Sequence, residues 1–246
     1  MLTVGESEVW KYLSTFGFNI TKIPKSPTKQ TPDFLVEDET AQYVIEVKDK
    51  ENQKFIDLIN SQNTSDKVDL DYDNAISGII RKGIRQLDSY KNQGKIFKVL
   101  WFFIGTTLFG DTISTQIGKT LYGLQELEGY KNSGEYFQTL CFYFTASEFY
   151  RNTQLDAVIV QSPKEIVFCV NDFSVQRDEL RQTRLYQSFI EKGLHIIEPS
   201  KSHCCVADDL SLDRRNSKVM AEYISKKYNL REITAYSVSF LNLPLE

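Results

Sequence analysis

Two short runs of β-forming residues, 34–36 (Phe-Leu-Val) and 43–47 (Tyr-Val-Ile-Glu-Val), flank the polar segment Glu-Asp-Glu-Thr-Ala-Gln. Branched and aromatic side chains suit a pleated, half-buried surface, so two such runs joined by a polar link predict a β-hairpin. If the link closes symmetrically, Val36 pairs with Tyr43, and counting outward sets Asp33 opposite Glu46. Side chains alternate faces along a strand. Tyr43, Ile45 and Val47 then form an apolar row, while Val44, Glu46 and Lys48 point the other way, beside Asp33. Opposed residues have Cβ atoms about 4.5–5.5 Å apart, and like charges so placed repel. A hard divalent cation removes that repulsion: Asp33, Glu46 and the carbonyl of Val47 make an all-oxygen set suited to Mg²⁺, with Mn²⁺ as a substitute. Such a cation activates water and stabilises charge on a phosphate, while Lys48 positions the nucleophile or offsets charge.

Further elements read out on either side. Val9, Leu13 and Phe16 recur at helical spacing over residues 5–16, and Gly17 supplies a stop before Phe18, Asn19 and Ile20 begin a strand. Pro24, Pro27 and Pro32 interrupt a segment carrying Lys22, Lys25 and Lys29, which reads as a basic loop. Residues 52–73 are polar; Ala75, Ile76, Ile79, Ile80, Ile84, Leu87 and Tyr90 then follow a helical period into the apolar run 99–104, a buried strand. Helices are expected near 113–127, 179–191 and 218–228, with strands near 139–144, 157–160 and 166–170. This order predicts an α/β fold, a mixed β-sheet flanked by helices.

Composition limits the alternatives. Thirteen Tyr and sixteen Phe spread along 246 residues supply enough apolar surface to order the chain. The net charge of −4 means that any nucleic-acid contact is local rather than driven by the global field. No run approaches the roughly 20 apolar residues of a membrane span. Residues 1–10 lack the basic and then apolar regions of a secretory signal, so a cytoplasmic location with no membrane contact is expected. Cys141, Cys169, Cys204 and Cys205 fit neither a disulfide framework nor zinc-ligand spacing, even with His195 and His203 included. The charged group Asp208, Asp209, Asp213, Arg214 and Arg215 has no catalytic template and reads as a solvated helix approach.

Pro32-Asp33, a gap of twelve residues, and Glu46-Val47-Lys48 together resemble the PD-(D/E)xK signature of restriction-endonuclease-like nucleases. Upstream, Glu6 with Val9, Leu13 and Gly17-Phe18 is similar to the first-helix glutamate pattern of archaeal Holliday-junction resolvases and related restriction enzymes, with Glu8 as a competitor for the role. Downstream, Gln86-Leu87-Asp88-Ser89-Tyr90 looks like the Q-x-x-x-Y element of the exonuclease branch, at longer spacing from Lys48 than is usual there.

The resemblance covers residues 5–104 and implies a restriction-endonuclease-like core over 1–150, followed by an additional α/β C-terminal region over 151–246. It implies a metal-dependent endodeoxyribonuclease that hydrolyses DNA phosphodiester bonds with Asp33, Glu46, Lys48 and Glu6. A restriction-type enzyme is favoured over a resolvase-like one because the chain beyond residue 110 exceeds a minimal resolvase, and a homodimer is one way such enzymes cut two strands. Lys82, Gln86 and Tyr90 read either as a phosphate-contacting stripe or as a plain solvated helix face. Two other classes stand beside this reading. One is a non-catalytic nucleic-acid-binding module with the same fold; the other is an enzyme with a site near His195, where the residues offer no coherent triad.

Overall fold

The computed structural model describes residues 1–26, 30–49, 74–91, 94–105 and 110–238. The polar stretch 52–73 and, in the basic loop, Pro27 and Lys29 lie outside the described residues. The chain begins with α1 (Val4–Thr15), β1 (Asn19–Lys22), β2 (Phe34–Glu37), β3 (Gln42–Asp49), α2 (Asn74–Ser89) and β4 (Phe97–Phe103). It continues through α3 (Gly110–Tyr122), β5 (Gln125–Lys131), β6 (Tyr136–Phe142), α4 (Glu148–Arg151), β7 (Ala157–Gln161) and β8 (Ile166–Val170). It ends with α5 (Arg177–Leu180), α6 (Arg184–Glu191), β9 (His195–Ile197), a 3₁₀ turn, β10 (Cys205–Val206), α7 (Ser217–Tyr228) and β11 (Leu230–Tyr236).

Seven strands form the main sheet in the order β1-β2-β3-β4-β7-β8-β9, and four form a second sheet, β10-β6-β5-β11. In the main sheet β3, β4 and β7 run parallel at the centre, whereas β1, β2 and β3 make antiparallel pairs, as do β7 and β8. The α/β class with mixed sheets flanked by helices is thus the observed one. The expected division near residue 150 falls within α4, and β7 to β9 join the same sheet as β1 to β4.

The hairpin register counted from the sequence is the register of the ladder: Val36 pairs with Tyr43 and Phe34 with Ile45. Asp38 closes the turn, its Oδ1 accepting from the Thr40 and Ala41 N–H groups at 2.7 and 2.8 Å, the local bond for which Asp is favoured in turns. Asp33 lies one residue beyond the ladder, where its own N–H donates to the Ile45 carbonyl at 3.0 Å.

Each face of the main sheet is covered. On one, Val9 and Leu13 of α1 and Leu185 and Phe189 of α6 pack with Phe34, Tyr43, Ile45, Trp101 and Phe168. On the other, Ile76, Ile80, Ile84 and Leu87, recurring every three or four residues along α2, pack with Val44, Leu100 and Phe102, and the core continues through α3 into the smaller sheet. β3 is therefore buried on both faces from Tyr43 to Val47. Gly83 lets α2 approach closely, because a Cβ there would sit 2.6 Å from Leu100 Cδ1 and 3.2 Å from Lys48 Cε.

Three elements differ from the sequence expectations. The helix expected over 113–127 ends at Tyr122, Gly123 takes a positive φ of 57°, and Leu127 belongs to β5. The helix expected over 179–191 is two helices, because Thr183 caps a new start at Arg184 by accepting from the Tyr186 N–H. The strand expected over 139–144 begins earlier, at Tyr136.

Candidate active site

The site is set by where β2 and β3 end relative to α1 and α2. Alternation along β3 turns Glu46 and Lys48 toward the α2 side, and the end of β2 carries Asp33 alongside. Asp33 is buried, and its Oδ2 accepts from the Val47 N–H at 2.9 Å. Glu46 is only 3% exposed; its Oε1 accepts from Lys48 Nζ at 2.7 Å, while its Oε2 is buried with no donor among the described residues. A buried carboxylate oxygen without a donor costs free energy unless a proton or a cation supplies the missing interaction.

Lys48 is held in turn by α2. Its Nζ donates to Gln86 Oε1 at 2.6 Å, and the Gln86 amide reaches the Thr31 carbonyl at 3.4 Å. The absent side chain at Gly83 leaves room for the Lys48 stem.

Glu6 approaches from α1, on the opposite face of the sheet. Its Oε2 accepts from the Thr3 N–H at 3.0 Å while Thr3 Oγ1 accepts from the Glu6 N–H, a capping box that starts α1. Its Oε1 lies 2.6 Å from Lys22 Nζ, and the same ammonium lies 3.2 Å from Asp33 Oδ1. Glu8, the competing residue, is paired with Lys11 on the surface at 2.6 Å.

Electrostatics separates the three acids. Burial raises the Glu46 carboxyl, Lys48 opposes the rise, the Asp33 charge adds to it, and the result is about 7. Asp33 is likewise raised, first by burial and then by hydrogen bonding to Glu6. Glu6 goes the other way, to about 2: burial would raise it, but its bonds with Lys22, Asp33 and Thr3 prevail. Acids pushed apart in this manner within one cleft mark a candidate functional site.

A cleft of about 360 Å³ opens onto these groups, lined by Thr3, Glu6, Lys25, Thr31, Asp33, Glu46, Lys82 and Gln86 among others. Lys82 and Gln86 thus border it, whereas Tyr90 follows the end of α2 and packs half-buried against the core. A larger, open depression of about 650 Å³ lies at the other end of the hairpin, beside Asp38, Thr40, Lys95 and Arg184. Its Asp38 carboxylate is committed to the turn and to the Tyr43 hydroxyl, at 2.8 Å, so we assign the chemistry to the smaller cleft.

The donor set of Asp33, Glu46 and the Val47 carbonyl fits a hard cation in kind, and Glu46 Oε2, without a donor among the described residues, gives one a reason to bind. Among the described residues no three His, Cys, Asp or Glu side chains already form a metal cage. Lys22 and Lys48 hold the acidic oxygens in this arrangement, and Glu6 comes from the far side of the sheet.

Lys22, expected in the basic loop, instead ends β1 and pairs with two acids of the cleft, Glu6 and Asp33. β1 pairs with β2 so that Lys22 stands opposite Phe34, next to Asp33. The register of β1 on β2 across the proline-rich loop places it there, and no local sequence signal specifies that register. Asp49 also lines the cleft, its Oδ2 accepting from the Gly5 N–H at 2.8 Å and tying the end of β3 to the start of α1. His195 lies half-buried on β9, and burial lowers its pKa. No helix among the described residues is long and apolar enough to cross a membrane. Set against known proteins, the chain matches no family model, no curated protein and no solved structure.

Proposed function

We propose that the chain is a metal-dependent deoxyribonuclease with a restriction-endonuclease-like core, acting on DNA as a restriction-type endonuclease. The observation that carries the reading is the meeting of Asp33, Glu46 and Lys48 at one end of β2 and β3, with Glu46 Oε2 buried and lacking a donor among the described residues. Each residue alone has an ordinary explanation as a turn acid or a solvated strand residue, but their convergence does not.

Asp33, Glu46 and the Val47 carbonyl would hold Mg²⁺ or Mn²⁺, which supplies Lewis acidity toward a phosphodiester oxygen and raises the acidity of water. Lys48, oriented by Gln86, keeps a positive charge against the attacked phosphate and fixes the attacking water by hydrogen bonding. Glu6 acts on Asp33 through Lys22 and the helix cap, a positioning role. Lys82 and Lys25, exposed at the rim, are placed to meet flanking phosphates.

The test incubates the protein with supercoiled, linear, single-stranded and four-way-junction DNA, with Mg²⁺ or Mn²⁺, beside Asp33→Ala and Lys48→Ala. Metal-dependent cleavage that falls roughly 10²-fold or more in both variants is the expected result. Preference for a junction over a plain duplex would move the assignment to a resolvase-like enzyme. A second reading, a non-catalytic nucleic-acid-binding module, draws on the two ammoniums that already neutralise the acids. DNA binding without metal and unchanged by Asp33→Ala would favour it.

A further inference from the structure

Lys22 lies outside the Asp33, Glu46, Lys48 cluster in sequence, yet its ammonium takes the oxygens of two of the cleft's four acids. It is 2.6 Å from Glu6 Oε1 and 3.2 Å from Asp33 Oδ1, and 4.7 Å from the centre of the Phe34 ring. The second oxygen of each acid is already engaged by the backbone: Glu6 Oε2 by the Thr3 N–H and Asp33 Oδ2 by the Val47 N–H. Asp33 Oδ1 is therefore its one oxygen not claimed by a backbone donor, and Lys22 occupies it. The Lys22 side chain is 28% exposed, far less than Lys25 at 71%, and its fixed position follows from the β1–β2 register.

We infer that Lys22 is a built-in counter-ion of the cleft, which a divalent cation must displace from Asp33 in order to bind. This rests on the proposed metal site and adds a control on its affinity. Four acids, Glu6, Asp33, Glu46 and Asp49, face Lys22, Lys48, Lys82 and Lys25, the last 3.7 Å from Glu6 Oε1, and this leaves little net charge to attract a cation. Withdrawing the Lys22 ammonium leaves one more uncompensated negative charge in a partly buried cleft, where charges are weakly screened. The arrangement keeps Asp33 neutralised when no cation is present and sets a concentration below which the site stays closed to metal. When a cation takes Asp33, the released ammonium remains paired with Glu6, whose position in the cap of α1 is fixed independently.

Mn²⁺ binding to the full chain is measured by loss of the free-ion electron paramagnetic resonance signal, for the wild type, Lys22→Met, Lys22→Arg, Asp33→Asn and Glu46→Gln. Circular dichroism verifies folding, and Lys22→Gln replaces Lys22→Met if the latter does not fold. The expected result is Mn²⁺ affinity at least about tenfold higher in Lys22→Met and near wild type in Lys22→Arg, which keeps the charge. Equal or weaker binding in Lys22→Met, with binding lost in Asp33→Asn and Glu46→Gln, overturns the role of Lys22 and leaves the metal site standing. Absence of Mn²⁺ binding in every folded protein overturns both.

Discussion

Replacing Glu46 by Gln tests the electrostatics of the cleft without disturbing its shape. The folded carboxyl titrates at about 7 against an ordinary 4.5, chiefly because it is buried. A carboxyl raised in the folded state favours the protonated form, so the native protein holds more protons than the unfolded chain between those values, and stability falls as pH rises through them. At 1.36 kcal/mol per unit, the whole displacement amounts to about 3 kcal/mol, of which about 2.5 kcal/mol falls between pH 5 and pH 8. Glu46→Gln removes this proton linkage while keeping the side-chain volume. The cost of the exchange itself is the same at every pH and cancels when the difference between variant and wild type is compared across pH. Asp33, whose charge also pushes Glu46 upward, is relieved by the same change and adds to the same sign. Urea unfolding of both proteins at half-unit intervals from pH 5 to pH 8, with chelator present, should show the variant gaining on the wild type by about 2.5 kcal/mol toward pH 8. Two curves parallel to within about 0.5 kcal/mol would refute the claim that burial raises Glu46, because a solvated glutamate contributes no slope in this range.

Gly83→Ala should lower stability by about 1 kcal/mol in urea unfolding, because overpacking against Leu100 and Lys48 outweighs the gain in helix propensity. Gly78→Ala, exposed on the same helix with nothing described within 4 Å of the new Cβ, should instead raise it by up to about 1 kcal/mol. Asp156→Ala should cost about 2–4 kcal/mol by the same assay, since it strips partners from the Lys98 N–H and the Ser174 hydroxyl in a site where Asp156 is 1% exposed. Thr3→Ala should cost about 1 kcal/mol through loss of the α1 cap, without change in the mid-range pH slope assigned to Glu46.

What the sequence made legible was short in range. The hairpin register needed only a six-residue link and strand alternation, and it brought Asp33, Glu46 and Lys48 into one cluster without any long-range contact being known. Val9 and Leu13 favour Glu6 over Glu8 without excluding Glu8, and it is the structure that buries Glu6 and pairs Glu8 with Lys11 at the surface. Lys22 was hidden because its role requires β1 to be registered on β2 across the proline-rich loop, which local pattern does not specify. β5 was hidden for another reason: Gln-Glu-Leu-Glu-Gly-Tyr-Lys keeps one solvated face, so its composition reads as the tail of a helix, although Gly123 with its positive φ marks the break. The three-residue β9 and two-residue β10 are too short for periodicity to register, and neighbouring strands set them.

The strand order of the main sheet also has a consequence for synthesis. β4 is apolar almost throughout, and one of its two edges is completed by β7, from Val99 opposite Ala157 to Phe103 opposite Gln161. At about 5–20 residues per second, several seconds of translation separate the emergence of the two strands. During that interval Val99, Leu100, Trp101 and Phe102 present an unpaired edge to every other nascent chain nearby, the kind of edge that folded proteins keep covered. Production of the folded protein should therefore respond to elongation rate and to chaperones that shield apolar edges, and a fragment ending before β7 would keep that edge permanently bare.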